Sequence, residues 1–105
     1  MIIINLVSYL NRQIKFSRKT FGPGKRTQAI LDHIKKEIKE VEEAPDDLEE
    51  WVDLAMLSLD GAWRAGYSAE EVAKALLNKL KKNEKRSWPN WRTSDPDKAI
   101  EHIRK

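Results

Sequence analysis

Four acidic residues form two spaced pairs in the middle of the chain. Glu37 and Glu40 stand three residues apart, and Glu50 and Asp53 repeat that spacing shortly afterwards. Residues three apart on an α-helix share a face, so each pair would present two carboxylates together. Four carboxylates that converge from neighbouring helices repel one another unless cations lie between them. The pattern therefore predicts a site for hard divalent cations such as magnesium or manganese, which prefer oxygen ligands.

Each acidic pair also has a purely structural interpretation. A Glu-x-x-Glu on a helix is usually a solvated face, and an acid among apolar residues is usually a salt-bridge partner. Asp60 shares this ambiguity, because it lies about two turns after Asp53 in an apolar stretch. We predict that Asp60 is either an outer metal ligand or orienting group, or one half of a buried salt bridge.

The elements that must position these acids are helices. Apolar residues recur at three- and four-residue spacing, and no run alternates as a half-buried strand does, so the fold is predicted to be all-α. We expect a bundle of four main helices, completed by oligomerisation. The predicted helices cover residues 2–14, 27–43, 46–65 and 68–85, and a short last helix covers 96–104.

Local signals set the helix boundaries. The glycines and the proline within residues 20–24 predict a break after the first helix. Ser68 and Glu71 have the spacing of a capping box, which predicts the start of the fourth helix. The third helix is apolar on most sides and is therefore expected to be buried. We expect an intersubunit face there, supplied by Trp51, Met56, Leu57 and Trp63, because a chain of 105 residues buries a limited area alone.

The charge is divided along the sequence. The formal net charge is +3, yet nine of the 17 acidic residues lie within residues 37–53, between basic stretches at 11–26 and 79–92. A protein that binds a phosphate backbone has little use for the acidic middle, whereas a site that holds cations and a polyphosphate needs both signs. We therefore expect no stable nucleic-acid partner.

The composition also bears on location. The chain has no cysteine, which excludes a thiolate nucleophile and a thiolate zinc site and is compatible with a reducing cytoplasm. The apolar run at residues 1–6 is too short for a membrane span and lacks the pattern of a signal peptide. A cytoplasmic protein with no membrane partner is the expectation.

A string of motifs accompanies the acidic pairs. They are Thr20-Phe21-Gly22-Pro23-Gly24, His33-Ile34, Glu50-Trp51-Val52-Asp53, Leu59-Asp60-Gly61-Ala62, Arg64-Ala65-Gly66-Tyr67-Ser68, and Lys79 through Asn83 and Arg86 to Trp88-Pro89. Together they resemble the all-helical MazG-like nucleotide pyrophosphohydrolases, and within these the dATP/dGTP diphosphohydrolase branch. The resemblance covers about residues 16–89 of what we expect to be one domain, 1–105.

This resemblance implies an enzyme that cleaves a purine deoxynucleoside triphosphate between the α and β phosphorus atoms, giving monophosphate and pyrophosphate. It implies two or three Mg²⁺ ions, for which Mn²⁺ can substitute, and a general base that is Glu37 or Glu40. The implied catalytic metal ligands are Glu37, Glu40, Glu50 and Asp53. The implied phosphate contacts are Lys79, Asn83 and Arg86, and the candidates for contact with the base are Phe21, Gly22 and Trp88, with packing as the alternative for Trp88.

Within the branch, the chain is most similar to the small phage enzymes called MazZ. That similarity implies a preference for dGTP over dATP, a homodimer or homotetramer in the host cytoplasm, and supply of dGMP for 2-aminoadenine synthesis. No residue in the sequence distinguishes guanine from adenine. The alternative functions are a non-enzymatic, basic helical module that binds nucleic acid and a structural oligomerisation bundle.

Overall fold

The computed structural model describes residues 1–104 and contains four α-helices. They are α1 (Leu6–Phe21), α2 (Thr27–Glu43), α3 (Leu48–Arg64) and α4 (Ala69–Lys85), and a short 3-10 helix follows at Trp91–Thr93. The described residues contain no β-strand, so the predicted all-α fold is confirmed. None of the described helices is long and apolar enough to cross a membrane.

The chain divides into two compact units. The first, Met1–Ala73, holds α1, α2, α3 and the first residues of α4, and the second, Lys74–Lys105, holds the remainder of α4 and the segment after it. The acidic pairs all belong to the first unit. The extent of a single domain over the whole chain stays a prediction.

Helix α1 lies further along the chain than the sequence predicted. Its N-cap is Asn5, whose side chain accepts a hydrogen bond from the Ser8 amide at 3.0 Å, so the isoleucines before it stay outside the helix. Nothing interrupts the helical pattern before Gly22, which has a φ of +89°. The predicted range of 2–14 was therefore wrong at both ends.

The boundaries of the next helices are set by local capping. The predicted bounds of α2 are confirmed, and α3 begins two residues later than predicted because Asp47 is its N-cap and accepts from the Glu49 amide at 3.0 Å. The capping box of α4 is confirmed. The Ser68 hydroxyl accepts from the Glu71 amide, and the Glu71 carboxylate accepts from the Ser68 amide, both at 3.1 Å.

The predicted last helix over residues 96–104 is wrong, since the structure has a turn at 96–97 and no helix in residues 98–104. The Asp95 side chain accepts from the Asp97 amide at 2.9 Å, which closes a local turn. The Ile103 amide donates to the carbonyl of Ser87 at 2.8 Å and is thus not part of a helical ladder.

Helices α2 and α3 pack against each other as an antiparallel pair. Ile30, near the start of α2, lies beside Gly61, near the end of α3, and a Cβ placed on Gly61 would be 4.0 Å from the Ile30 side chain. Glu40 and Glu50 meet at the opposite end of the pair. Helix α1 also packs on α3, and its Leu10 forms a small core with Ala69 and Val72 at the start of α4.

Helix α3 is only partly covered by its own chain in its first half, where Trp51 was expected on an intersubunit face. Trp51 is 50% exposed and Val52 is 43% exposed, whereas Trp63 is only 7% exposed. Trp63 therefore cannot belong to an outer face, because it is already covered within its own chain. The difference arises because the antiparallel partner α2 and the crossing helix α1 cover only part of the apolar circumference of α3.

Candidate active site

Three glutamates converge where α2 and α3 meet. The carboxylates of Glu37, Glu40 and Glu50 each offer an oxygen, and these oxygens all lie within 4.8 Å of one another. Helix α2 supplies the first two from one face, and the first turn of α3 supplies the third. The short connection between antiparallel helices brings these three acids together. We call these three residues the glutamate cluster.

The glutamate cluster is not satisfied by the protein itself. One buried oxygen of Glu37 and one of Glu50, Oε2 in both, have no hydrogen-bond partner. A buried acceptor without a partner costs free energy in the folded state, and a cation is the usual compensation for a carboxylate. The two partnerless oxygens and the all-carboxylate donor set therefore fit a hard divalent cation such as Mg²⁺ or Mn²⁺.

The electrostatics of the cluster indicate shared protons when no cation is bound. A hydrogen bond with Glu40, followed by burial and by the charge of Glu40, raises the pKa of Glu50 to about 7. Burial, followed by a hydrogen bond with Glu40, raises the pKa of Glu37, although His33 acts in the opposite direction. Like charges at this distance cannot all ionise freely, so a divalent cation would compete with protons for these oxygens.

Asp53, the fourth predicted ligand, lies outside the glutamate cluster. It lines the same cavity as Glu37, and its negative charge helps to raise the pKa of Glu37. The structure thus places Asp53 beside the cluster, one helical turn after Glu50.

A cavity of about 440 Å³ opens next to Glu37 and Asp53, within the range of small-molecule sites. One wall is aromatic, because Phe16 and Phe21 meet edge to face with their ring centroids 6.4 Å apart. The guanidinium of Arg26 lies 5.7 Å from the centre of the Phe21 ring. The lining residues are Gln13, Phe16, Ser17, Phe21, Arg26, Ala29, Ile30, His33, Glu37, Asp53, Met56, Leu57, Asp60 and Arg64.

His33 connects the cavity to the glutamate cluster. Its Nε2 lies 3.3 Å from Oε1 of Glu37, one helical turn further along α2. The other oxygen of Glu37 is the one without a partner. His33 therefore orients the Glu37 carboxylate while it leaves one oxygen available.

Asp60 accepts hydrogen bonds from three neutral donors. Gln13 donates to Oδ1 at 3.0 Å, Trp63 donates to Oδ1 at 2.9 Å, and Ser17 donates to Oδ2 at 3.0 Å. No Lys, Arg or His side chain forms an ion pair with Asp60 within residues 1–104. Asp60 is also not part of the glutamate cluster. The structure thus places Asp60 in a hydrogen-bonded network that ties α1 to α3.

The sequence analysis missed the role of Arg64, although its motif included the residue. Arg64 is 6% exposed, and its guanidinium donates to the carbonyls of Gly22 and Gly24, both at 2.9 Å, and to the hydroxyl of Ser17 at 3.0 Å. Burial lowers the pKa of Arg64, and the charge of Asp60 opposes that shift. The sequence did contain a signal for a buried polar contact on α1. Gln13 and Ser17 are polar and lie four residues apart, on one face of that helix.

The residues predicted to bind phosphate belong to the second unit. Lys79 is exposed on α4, and Asn83 accepts a hydrogen bond from the Arg86 guanidinium at 2.9 Å. The Trp88 indole donates to the carbonyl of Asn83 at 2.8 Å, and its ring lies edge to face with His102 at 6.0 Å. These contacts hold Trp88 at the end of the helix. Its contact with the base and the phosphate contacts of the other three stay predictions.

The fold and the site together define a class of helical proteins in which acidic side chains of two antiparallel helices converge beside a cavity. Comparison with known families gives a match to the model of the dATP/dGTP pyrophosphohydrolases over residues 9–105. The chain belongs to this family of nucleoside triphosphate hydrolases. The resemblance predicted from the motifs is thereby confirmed.

One similar protein is the Eaa protein of Salmonella phage P22. It is 36% identical to this chain over 52 residues, which are 50% of this chain and 16% of the phage protein. The chain thus spans about a sixth of the length of that relative. No solved structure matches.

Proposed function

We propose that this protein is a metal-dependent diphosphohydrolase that cleaves dGTP or dATP between the α and β phosphorus atoms. The products are the deoxynucleoside monophosphate and pyrophosphate. The observation that carries the proposal is the glutamate cluster, with two buried oxygens that lack partners, beside a cavity of about 440 Å³. Membership of the dATP/dGTP pyrophosphohydrolase family supports the same reaction.

Glu37, Glu40, Glu50 and Asp53 would hold the metal, and two or three Mg²⁺ ions are proposed on the resemblance to MazG-like enzymes. When bound, Mg²⁺ supplies Lewis acidity and neutralises the negative charge of the phosphate oxygens. The carboxylates would fix the positive charge of Mg²⁺ at one end of the cavity.

Glu37 is the stronger candidate for the general base, in preference to Glu40. Glu37 lines the cavity, whereas Glu40 is exposed and does not. His33, at 3.3 Å, orients the carboxylate of Glu37.

The remainder of the cavity suits a purine nucleoside. The Phe21 ring offers a face for stacking, and the Arg26 guanidinium offers a positive charge for phosphate oxygens. Lys79, Asn83 and Arg86 are proposed as further phosphate contacts on the resemblance of their motif. A preference for dGTP, and a role of the resulting dGMP in 2-aminoadenine synthesis, are proposed on the similarity to MazZ.

A homodimer or homotetramer is part of the proposal. Trp51 and Val52 on α3 are about half exposed, a large apolar area for one helix to leave in water. Packing against a second copy would cover it. Light scattering coupled to gel filtration tests this, and a monomer at micromolar concentration would contradict it.

The activity is tested by incubating the protein with Mg²⁺ and each of dGTP, dATP, dCTP and dUTP, then separating the products by anion exchange. We expect monophosphate and pyrophosphate from dGTP or dATP. Glu40→Gln should abolish the release, and the matched control Glu42→Gln, an exposed neighbour on α2, should not. No product from any nucleotide, or diphosphate with inorganic phosphate, would overturn the proposal.

A further inference from the structure

The segment between α1 and α2 forms part of the cavity wall. We call residues 22–26 the glycine loop; Phe21 precedes it, Arg26 ends it, and both line the cavity. Gly22 and Gly24 have φ angles of +89° and +84°, and a Cβ placed on either would have no neighbouring atom within 4 Å. Side-chain packing therefore does not hold these two glycines in place.

Hydrogen bonds from Arg64 hold them instead. Its Nη1 donates to the carbonyls of both Gly22 and Gly24, and its Nη2 donates to the hydroxyl of Ser17. The guanidinium is a planar fork with five donors, so it can bridge acceptors that a lysine ammonium cannot bridge together. Arg64 thus ties the end of α3 to both sides of the glycine loop.

Arg64 is itself fixed by the Asp60 network. The Ser17 hydroxyl accepts from Arg64 and donates to Asp60, and Ser17 is only 1% exposed. The negative charge of Asp60 compensates the buried guanidinium through this hydroxyl. Arg64 also lines the cavity, and the hydrogen bonds of both Nη atoms end on α1 and the glycine loop.

We propose that Arg64 is a positioning residue that holds the glycine loop in the shape that places Phe21 and Arg26 against the substrate. This inference rests on the proposed function, because it assumes that the cavity binds a deoxynucleoside triphosphate. It separates two tasks in the site. The glutamate cluster holds the cation, and Arg64 sets the wall that holds the nucleotide.

The first test replaces Arg64 with lysine, which keeps the charge and loses the fork. For dGTP and dATP we expect KM to rise by about ten- to a hundredfold with kcat changed much less, because the loop binds the substrate equally in its ground and transition states. The affinity for Mn²⁺ alone, measured without nucleotide, should not change. Hydrogen exchange at the amide of Gly22, which donates to the carbonyl of Arg18 at 3.0 Å, should become faster.

The second test strains the loop without touching Arg64. Gly24→Ala forces an alanine to adopt a φ of +84° within the glycine loop. The control Gly66→Ala forces an alanine to adopt a φ of +112° after the end of α3. A Cβ has open space at both positions. Both substitutions therefore strain the backbone locally, and Gly66→Ala does so more strongly. Gly24→Ala should raise KM as Arg64→Lys does, Gly66→Ala should leave KM unchanged, and the double variant Arg64→Lys/Gly24→Ala should show less than the product of the single effects.

The outcomes separate this inference from the proposed function. An unchanged KM in Arg64→Lys despite faster loop exchange would overturn the inference, as would an equal rise in KM for Gly66→Ala. If Arg64→Lys does not fold, an unchanged KM in Gly24→Ala overturns it. If the wild-type protein releases no pyrophosphate, the proposed function fails. Unchanged hydrogen exchange of the glycine loop in Arg64→Lys would then overturn the inference. Faster exchange would support the conclusion that Arg64 holds the loop.

Discussion

Helix α3 carries two carboxylates with opposite surroundings. Near its end, Asp60 receives hydrogen bonds from Gln13, Ser17 and Trp63. Near its start, Glu50 has a buried oxygen without any partner, and neighbouring acids together with burial raise its pKa to about 7. The chemistry of the two side chains is the same, so the difference lies in what the fold places around each.

That difference separates structure from function. A buried carboxylate that accepts several hydrogen bonds stabilises the arrangement of the helices that supply the donors. A buried carboxylate without partners destabilises the folded chain, and such groups are concentrated where a ligand will meet them. On this comparison we propose that Asp60 is part of the scaffold and that Glu50 is part of the site.

The largest expected effect is on turnover. Glu50→Gln should lower pyrophosphate release by more than about a hundredfold, since even losing a residue that only supports a metal ligand costs 10–100-fold. The matched control is Glu49→Gln, an exposed neighbour in the first turn of α3, which should stay near wild type. Near-wild-type turnover in Glu50→Gln would remove Glu50 from the site.

The next effect is on stability. Asp60→Asn should lower the free energy of unfolding by about 3 kcal/mol. The amide has no negative charge for the three donors, and its NH₂ group, itself a donor, would face one of them. Urea unfolding followed by circular dichroism measures this, with exposed Asp46→Asn as the control. In EDTA, Glu50→Gln should not destabilise the protein. A larger loss of unfolding free energy in Glu50→Gln than in Asp60→Asn would contradict the comparison.

Metal binding at the glutamate cluster and Asp53 should stabilise the fold. At Mg²⁺ ten times above its Kd, the free energy of unfolding should rise by about 1.4 kcal/mol, the linkage expected for one site. EDTA should remove that gain. Asp60→Asn should keep the gain and Glu50→Gln should lose it. A gain that persists in Glu50→Gln would place the cation elsewhere.

The smallest expected effect is a pH dependence in EDTA. The pKa of Glu50 is about 7 in the folded chain and 4.5 ordinarily, so its contribution to stability is complete below pH 4.5 and is lost as the pH rises through 7. The raised pKa of Glu37 acts in the same direction. The free energy of unfolding should therefore fall between pH 5 and 8, more steeply in wild type than in Glu50→Gln. Equal slopes would show that Glu50 does not titrate in this range.

Most of the helical fold was accessible from the sequence because its signals are local. The apolar periodicity and capping residues predicted α2 and the start of α4 correctly. The same local logic failed for α1, because Asn5 was not recognised as its N-cap, and for residues 96–104, where Asp95 closes a turn. It also failed for Trp63, which was expected on an intersubunit face, because burial depends on what packs against each face and not on the helix itself.

The site divides in the same way. Glu37, Glu40 and Glu50 were predicted to converge because their spacing and a short connection suffice to bring them together. The hydrogen-bonded network that joins Asp60 and Arg64 to α1 and the glycine loop was not predicted. Its bonds between these elements span 40 to 47 residues of sequence, and which face of α1 meets α3 follows from packing.

The most direct test of the central claim is a titration with Mn²⁺, in the absence of nucleotide, followed by electron paramagnetic resonance at a pH above 7. Wild type and Asp60→Asn, both at a temperature at which they are folded, should bind with the same affinity, and Glu50→Gln should bind at least about tenfold more weakly. If the wild-type protein does not bind Mn²⁺, or if Asp60→Asn weakens binding as much as Glu50→Gln, the division of α3 into scaffold and site is contradicted.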